Sequence, residues 1–573
     1  MTSPYDNSKS KPSTPYSSAK KPADVTPYRS SEKREKPAAS PYPKITVEKP
    51  AAATPYTKAK PEQREQRPAE RPSQGSTPGG TASVYKITKT AESAGSPGGN
   101  KSSSPYGTSF RKKPVKTQKR EPNPSRDLAL RLLFEASKPT APGLDHFLAQ
   151  AAEKKVAEAD IRLARLLACG VLQKQNALKR LLDSFLEEPL KDKPAIELSL
   201  LLGFEQLLFT ERIPAHAIVD ETVRLVDSQS KGTGFRGLAN AVMRRATEQV
   251  EELRKRFESF PWTDRYAVPE ALAELTEPVF TDEGEHEAFW RANNERAPLC
   301  LRLRNGVEAE IALLLLQEQC PHLPWAEIPE CRFQHPEGLI FPASFGSIVS
   351  SEIFQNGTLT VEDRGAQIAA TIAAPDPEHH RLLDFCASPG GKTSHWADLL
   401  PEASITATDV AESKIRRMNE TLKRLKLSER VRTLLVDDLL TQIPEGFFDA
   451  ILVDAPCSGL GTIRRHPEIR LRRSITSILS LQNTQLEILN KAYTLLKPGG
   501  ILSYVVCTLS NQETVEVAAK IQEQHPDLVC ADASPFALDF ADAYRLPGTP
   551  YFRTTPHQHG CDGFFVARWR KQS

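Results

Sequence analysis

The spacing of apolar residues divides the chain into three textures, preceded by a stretch that has almost no periodicity. Ser125-Arg-Asp-Leu-Ala-Leu-Arg-Leu-Leu-Phe134 opens with a capping residue and continues at helical spacing. The same period returns over Ile161–Leu172, Ala177–Leu186, Ala195–Phe209, Ala215–Asp227 and Gly237–Ala246, with Gly170, Pro189, Gly203, Pro214 and Gly234 as punctuation. This predicts an all-helical domain over 124–250. The next stretch, 251–375, is mixed. A charged helix over Glu251–Phe257 leads into Phe260-Pro-Trp262, and strand-like alternation follows along Asn293–Arg304, at Gly338–Phe341 and over Phe354–Val361. A small α+β module is expected there, with Arg302 and Arg304 on one strand face. Over 376–573, short apolar runs end in carboxylates and alternate with helical segments: Leu382-Leu-Asp384, Ile405–Asp409, Leu434–Asp438 and Ile451–Asp454, with Ile501–Val506 after them. That alternation predicts an α/β Rossmann-like domain built on a doubly wound parallel sheet.

Composition changes the picture mainly at the front. Residues 1–123 are rich in Pro, Ser, Thr and Lys and poor in large aliphatics, so they cannot bury enough apolar surface to offset their ordering entropy. A disordered arm is expected. Residues 1–125 hold 24 Lys+Arg against 10 Asp+Glu, a net of +14, whereas the remainder holds 51 against 62, a net of −11. Positive charge gathered in one arm points to a polyanion partner. Within the arm Ser/Thr-Pro-Tyr recurs six times, from Ser3, Thr14, Thr26, Ser40, Thr54 and Ser104; these are phosphosites, tyrosines that stack on RNA bases, or drift in a low-complexity linker. Nine dispersed cysteines without a C-x-x-C pair indicate neither a disulfide framework nor a metal site. The polar N-terminus excludes a signal peptide, and no apolar run is long enough to span a bilayer, so a cytoplasmic monomer without membrane or metal is expected.

The loop Cys386-Ala387-Ser388-Pro389-Gly390-Gly391-Lys392-Thr393 follows a strand and precedes the helical Ser394–Leu400, the arrangement that brings a nucleotide-like ligand against backbone amides. A phosphate-binding loop requires Gly where Cys386 stands, and a dinucleotide fingerprint requires glycines that are not adjacent. An S-adenosylmethionine site has no pyrophosphate to cradle and tolerates the looser loop. Strand-end acids downstream favour it: Asp409 is placed for the ribose hydroxyls, Asp437 (or its neighbour Asp438) for the adenine amino group, and Asp454 closes the set.

Asp454 also begins Asp454-Ala-Pro456-Cys457-Ser458-Gly459, and the strand after it ends in Cys507-Thr508. Two cysteines delivered by strand ends beside a carboxylate suggest a thiol nucleophile with a helper, and residue types alone do not order them. The motifs CASPGGKT, DAPCSGLG with Thr462-Ile-Arg464-Arg465-His466-Pro467, Leu496-Lys-Pro-Gly-Gly500 and Asp562-Gly-Phe-Phe-Val-Ala together resemble the RNA 5-methylcytosine methyltransferases. The helical front, with Arg-Gly-Leu-Ala-Asn240-Ala-Val-Met-Arg244-Arg245, resembles the NusB fold, an RNA-binding bundle. The resemblance spans roughly residues 124–570. It implies S-adenosylmethionine-dependent methylation of cytosine carbon 5 in 16S ribosomal RNA, with Cys507 as nucleophile, Cys457 in product release and Asp454 on the base edge. Transfer RNA as substrate, or a scaffold that has lost activity, are the competing expectations. Arg464, Arg465 and His466 are expected on phosphate or base, unless they are exposed loop charges. Lys392, Arg464 and Arg465 are the candidate cations for favouring thiolate. The chain departs from the family pattern at Val506-Cys507-Thr508, where Thr-Cys-Ser is common, and at Asn511-Gln-Glu-Thr514, where a Glu-Glu-Asn-like run is usual.

Overall fold

A computed structural model describes residues 122–573 apart from 139–140, 231–233, 305, 326–331, 334–337 and 343–346, and gives the backbone alone at 332–333. The basic arm and its Ser/Thr-Pro-Tyr repeats lie outside the described residues. Seven helices follow one another: α1 (Pro124–Ala136), α2 (Leu144–Glu153), α3 (Glu158–Asp183), α4 (Pro194–Phe209), α5 (Ala215–Gln229), α6 (Phe235–Glu248) and α7 (Val250–Ser259). Asn123, not Ser125, caps α1: its side chain accepts from the Ser125 amide at 3.0 Å, and Pro124 takes the first helical position. The helix α4 is the central one, buried along Ile196–Leu208. Two expected breaks are not breaks. Gly170 lies inside α3, which therefore joins the segments Ile161–Leu172 and Ala177–Leu186, and Gly203 lies inside α4. Both glycines serve close approach, since a Cβ at 170 would stand 2.1 Å from Glu205 Oε1 and one at 203 would stand 2.8 Å from Thr222. The bundle core also continues past residue 250, because Leu253 and Phe257 of α7 join it.

The intermediate region carries a small antiparallel sheet of β1 (Leu299–Leu303), β2 (Arg332–Phe333), β3 (Gly338–Phe341) and β4 (Leu359–Val361), in the order β2-β3-β1-β4. Arg302 and Arg304 share a face as expected, but that face is closed. Arg302 Nε donates to Glu362 Oε2 at 2.5 Å, and Arg302 also pairs with Asp398. Arg304 donates to Asp398 at 2.7 and 2.8 Å and to the carbonyls of Gly357 and Leu425 at 2.8 Å each. Both arginines are buried. They fasten the module to the helix Gly391–Leu399 and are not available to RNA.

The C-terminal domain is built on a second sheet of β5 (Arg381–Asp384), β6 (Ser404–Asp409), β7 (Val431–Leu435), β8 (Phe448–Asp454), β9 (Leu496–Val506), β10 (Leu528–Cys530), β11 (Phe552–Thr554) and β12 (Phe564–Lys571), in the order β10-β12-β9-β8-β5-β6-β7 with β11 on β12. The strands from β5 to β9 pair in parallel; β10, β11 and β12 are antiparallel additions, so the sheet is mixed where an all-parallel one was expected. The chain moves outward from β5 through β6 to β7, then returns to lay β8 on the other side of β5. The crevice at that reversal is where open α/β sheets bind ligands. Among the described residues no helix is long and apolar enough to cross a membrane.

Candidate active site

Asp384, Asp409 and Asp454 end β5, β6 and β8 at that crevice. Asp384 is 1% exposed; burial pushes its carboxyl up to about 7, with Asp454 and Asp409 adding to the shift and a 2.6 Å hydrogen bond from Thr393 Oγ1 opposing it. Its Oδ1 has no hydrogen-bond partner among the described residues. Asp409 is buried and accepts from the Val410 amide at 2.7 Å and from Lys414 Nζ at 3.0 Å. Between them runs the glycine loop. The Ala387 amide donates to the Thr408 carbonyl at 2.8 Å, and the Gly390 amide to the Ala387 carbonyl at 2.7 Å. Gly390 holds φ +98°, a left-handed conformation open to glycine, and Gly391 starts the helix Gly391–Leu399. Ser388 Oγ donates to the Lys414 carbonyl at 3.3 Å across a cis Ser388–Pro389 bond. Cys386 is half-buried, and burial with the three acids around it raises its thiol. Asp437 and Asp438 do not end β7 as expected. They lie two and three residues beyond its last residue, Leu435, exposed in the first turn of the helix Val436–Gln442.

Lys392 ties this loop to the second half of the site. Its Nζ donates to Asp454 Oδ2 at 2.7 Å, and its own positive charge is reinforced by Asp454 and by Cys507. The parallel pairing of β8 with β9 sets Asp454 opposite Val505, so the two cysteine turns leave the sheet side by side. Cys457 Sγ and Cys507 Sγ are 3.3 Å apart. Cys457 is raised well above an ordinary thiol, first by its hydrogen bond with Cys507 and then by burial and by the charges of Cys507 and Glu513. Either sulfur can be the donor in this contact.

The turn after Cys457 is long and tightly held. Gly459 takes φ +78°, and the amide of Gly461 donates to the Cys507 carbonyl at 3.0 Å. Leu460, Ile463 and Leu509 pack with Leu272, Phe289 and Trp290 of the intermediate region, so both cysteine turns share one apolar anchor. Arg464 and Arg465 are neither phosphate ligands nor exposed loop charges. Arg465 pairs with Asp562 at 2.7 Å and Asp363 at 2.5 Å, and Arg464 donates to the Gly560 carbonyl at 3.1 Å. Of the three cations expected near a thiolate, Lys392 is the one in place. Further along, Glu468 Oε1 accepts from the Leu144 amide at the start of α2 at 3.0 Å. Arg470 donates to the Tyr266 carbonyl at 2.6 Å, Arg472 to the Glu135 and Ala136 carbonyls that end α1 at 3.0 Å each, and Arg473 to the Ser458 carbonyl at 2.8 Å. The helical domain thus grips the segment that carries Cys457.

Comparison with known proteins fits these parts to a family. A profile described as "16S rRNA methyltransferase RsmB/F" matches residues 370–570, and one described as "NusB family" matches residues 123–248. The protein named Ribosomal RNA small subunit methyltransferase B in Vibrio cholerae is 33% identical over 432 residues, covering 74% of this chain and 92% of its own. The chain belongs to that family. The protein of the same name from Pasteurella multocida is 33% identical over 429 residues, covering 73% of this chain and 90% of its own. The solved structure of PH0851 superposes with a TM-score of 0.59 at 23% identity, covering 79% of this chain and 100% of its own, a likeness that bears on the fold alone. As a member of the small-subunit ribosomal RNA methyltransferase B family, the chain is a methyltransferase whose cofactor is S-adenosylmethionine.

The crevice fits that cofactor. The Gly390–Gly391 turn has no side chain to fill the crevice, Asp409 holds only the Lys414 ammonium and its own neighbouring amide, and a buried oxygen of Asp384 has no hydrogen-bond partner among the described residues. Two site residues escaped the sequence reading. Asp384 carried the same signal as the other strand-end acids but received no role. Glu513 sat inside a run noted only as a departure from the family pattern.

Proposed function

We propose that the chain methylates carbon 5 of a cytosine in 16S ribosomal RNA through a covalent adduct with Cys507. The observation that carries this reading is the thiol pair, 3.3 Å apart at adjacent strand ends beside the Lys392–Asp454 ion pair. Carbon 5 is too electron-poor to take a methyl group unaided. The Cys507 thiolate adds to carbon 6, the ring double bond opens toward N3, and carbon 5 becomes nucleophilic. Asp454 hydrogen-bonds the base edge and favours the proton at N3. Lys392, held by Asp454, stabilises the thiolate before attack. The bound cofactor supplies an electrophilic methyl group on its sulfonium. After transfer a water takes the carbon 5 proton, the C–H electron pair re-forms the ring double bond, the Cys507–carbon 6 bond breaks with its pair returning to sulfur, and the N3 proton is shed; Cys457 assists this release by protonating the departing sulfur. The target base must be unstacked to present carbon 6, and the NusB-like bundle, joined firmly to the Cys457 segment, is suited to holding the surrounding RNA. Asp437 is assigned to the adenine amino group, the basic arm to nonspecific RNA affinity through counterion release, and the protein to the cytoplasm as a monomer. Bisulfite sequencing of 16S RNA incubated with the purified protein and S-adenosylmethionine tests the reading. A cytosine newly protected from conversion is expected. Methyl incorporation with every cytosine still converted contradicts it.

A further inference from the structure

We propose that Glu513 is a positioning residue for the thiol pair, a buried carboxylate that ties the two cysteine turns together and sets the division of labour between them. The inference rests on the reading that Cys507 attacks and Cys457 assists. Glu513 is fully buried, and both its oxygens are in use. Oε1 accepts from the Ser458 amide at 2.7 Å and from Gln485 Nε2 at 3.1 Å. Oε2 accepts from Ser458 Oγ at 2.5 Å, Ser510 Oγ at 2.9 Å and Thr508 Oγ1 at 3.3 Å. Ser458 and Thr508 directly follow the two cysteines, and their hydroxyls are 2.7 Å apart. Gln485 also donates to the Pro456 carbonyl at 2.9 Å, and Tyr504 OH donates to the Glu513 carbonyl at 2.7 Å. One side chain thereby fixes both turns at the residue after the sulfur.

All of these partners are neutral donors, so the carboxylate's charge is spread over hydrogen bonds and is not cancelled by a cation. It acts on the Cys457 side, where it opposes ionisation of that thiol. Among the charged and titratable groups around the pair, Arg473 reaches the Cys457 turn through the Ser458 carbonyl at 2.8 Å. Glu513 and Tyr504 stand near Cys457, and Lys392, itself paired with Asp454, acts on Cys507. Buried carboxylates satisfied by several donors are costly to disturb, because each donor is left without a partner when the acid goes. The same network accounts for Thr508. It needs a hydroxyl at that position, and threonine supplies one where the family commonly has serine.

The test uses the full chain with Glu513→Gln, which keeps the volume and removes the charge. Site-resolved iodoacetamide labelling from roughly pH 6 to 10 follows each thiol, single-turnover methyl transfer to 16S RNA follows the chemistry, and calorimetry with S-adenosylmethionine reports the fold. The labelling midpoint of Cys457 is expected to fall by about one pH unit or more with Cys507 little changed. Single turnover should slow by about tenfold or more while cofactor affinity holds. An unmoved Cys457 midpoint together with an unchanged single-turnover rate overturns the inference. Should Glu513→Gln lose cofactor binding, Thr508→Val and Thr508→Ser carry the test. The valine variant should slow single turnover by about fivefold and the serine variant should recover it; a valine variant as fast as wild type overturns the inference. In the wild type, a Cys457 more reactive than Cys507 would instead remove the reading on which it rests, whatever Glu513→Gln does.

Discussion

The two cysteine turns begin alike and end in different surroundings. Both leave neighbouring parallel strands, β8 and β9, with the two sulfurs 3.3 Å apart. The Cys457 turn then runs through a long segment whose Glu468 and Arg472 are fastened to α2 and α1 of the helical domain, and whose Arg473 returns to Ser458. The Cys507 turn closes at once into the short helical turn Asn511–Glu513, within its own domain. Their charged surroundings differ as well: Glu513 opposes ionisation of Cys457, and Cys507 interacts with Lys392. Residue type and strand position therefore do not assign the roles of two cysteines. Their neighbours do. The thiol raised by its neighbours is also the one whose turn is hydrogen-bonded to the helical domain.

The largest effect is expected beneath both turns, where it should leave their difference intact. Asp384 has a folded-state value near 7 against an ordinary 3.8. Its contribution to stability is therefore fully present below about pH 4 and is lost as pH rises through 7. An asparagine there has no such dependence, so Asp384→Asn should gain up to about 4 kcal/mol on wild type across that interval. Denaturant unfolding at a series of pH values measures it, and a pH-independent difference would contradict the burial argument. Lys392→Ala acts on Cys507 and, through the lost ion pair with Asp454, on the strand that leads to Cys457. Single-turnover methyl transfer should fall by about 100-fold, and an unchanged rate would contradict a role for Lys392. Arg472→Ala acts on the Cys457 side alone. Loss of its bonds to the α1 carbonyls should cost about 2 kcal/mol, seen as faster hydrogen exchange across 458–473 with the glycine loop unchanged. Smallest is Asp409→Ala, which touches neither turn. It should weaken S-adenosylmethionine by about tenfold, or 1.4 kcal/mol, with cooperative unfolding retained.

The parallel half of the sheet and most of the bundle were legible in the sequence because apolar period and strand-end acids are local signals. Asp409 and Asp454 were placed correctly at the ends of β6 and β8 for that reason. The misreadings arose where a residue's role depends on something distant in the chain. Gly170 and Gly203 read as stops, because only the approach of Glu205 and Thr222 shows that they are contacts. Arg464 and Arg465 read as available charge, because their carboxylates lie about 100 residues away. The three antiparallel strands were missed because they lie beyond the repeating strand–helix alternation on which the parallel sheet was read. Glu513 was visible as a letter in an unusual run, and its five donors come from four separate residues folded around it.

The division between the two cysteines is tested most directly by trapping. Full-length Cys457→Ala and Cys507→Ala proteins are incubated with 16S RNA and S-adenosylmethionine, then run on a denaturing gel, with 5-fluorocytosine RNA and wild type as reference. Cys457→Ala should attack, transfer the methyl group and stall, leaving an RNA–protein band that survives denaturation; Cys507→Ala should give neither band nor methylation. The opposite pattern, a stable band from Cys507→Ala and none from Cys457→Ala, would exchange the roles, and a wild type that never traps the fluorinated RNA would contradict the covalent route itself.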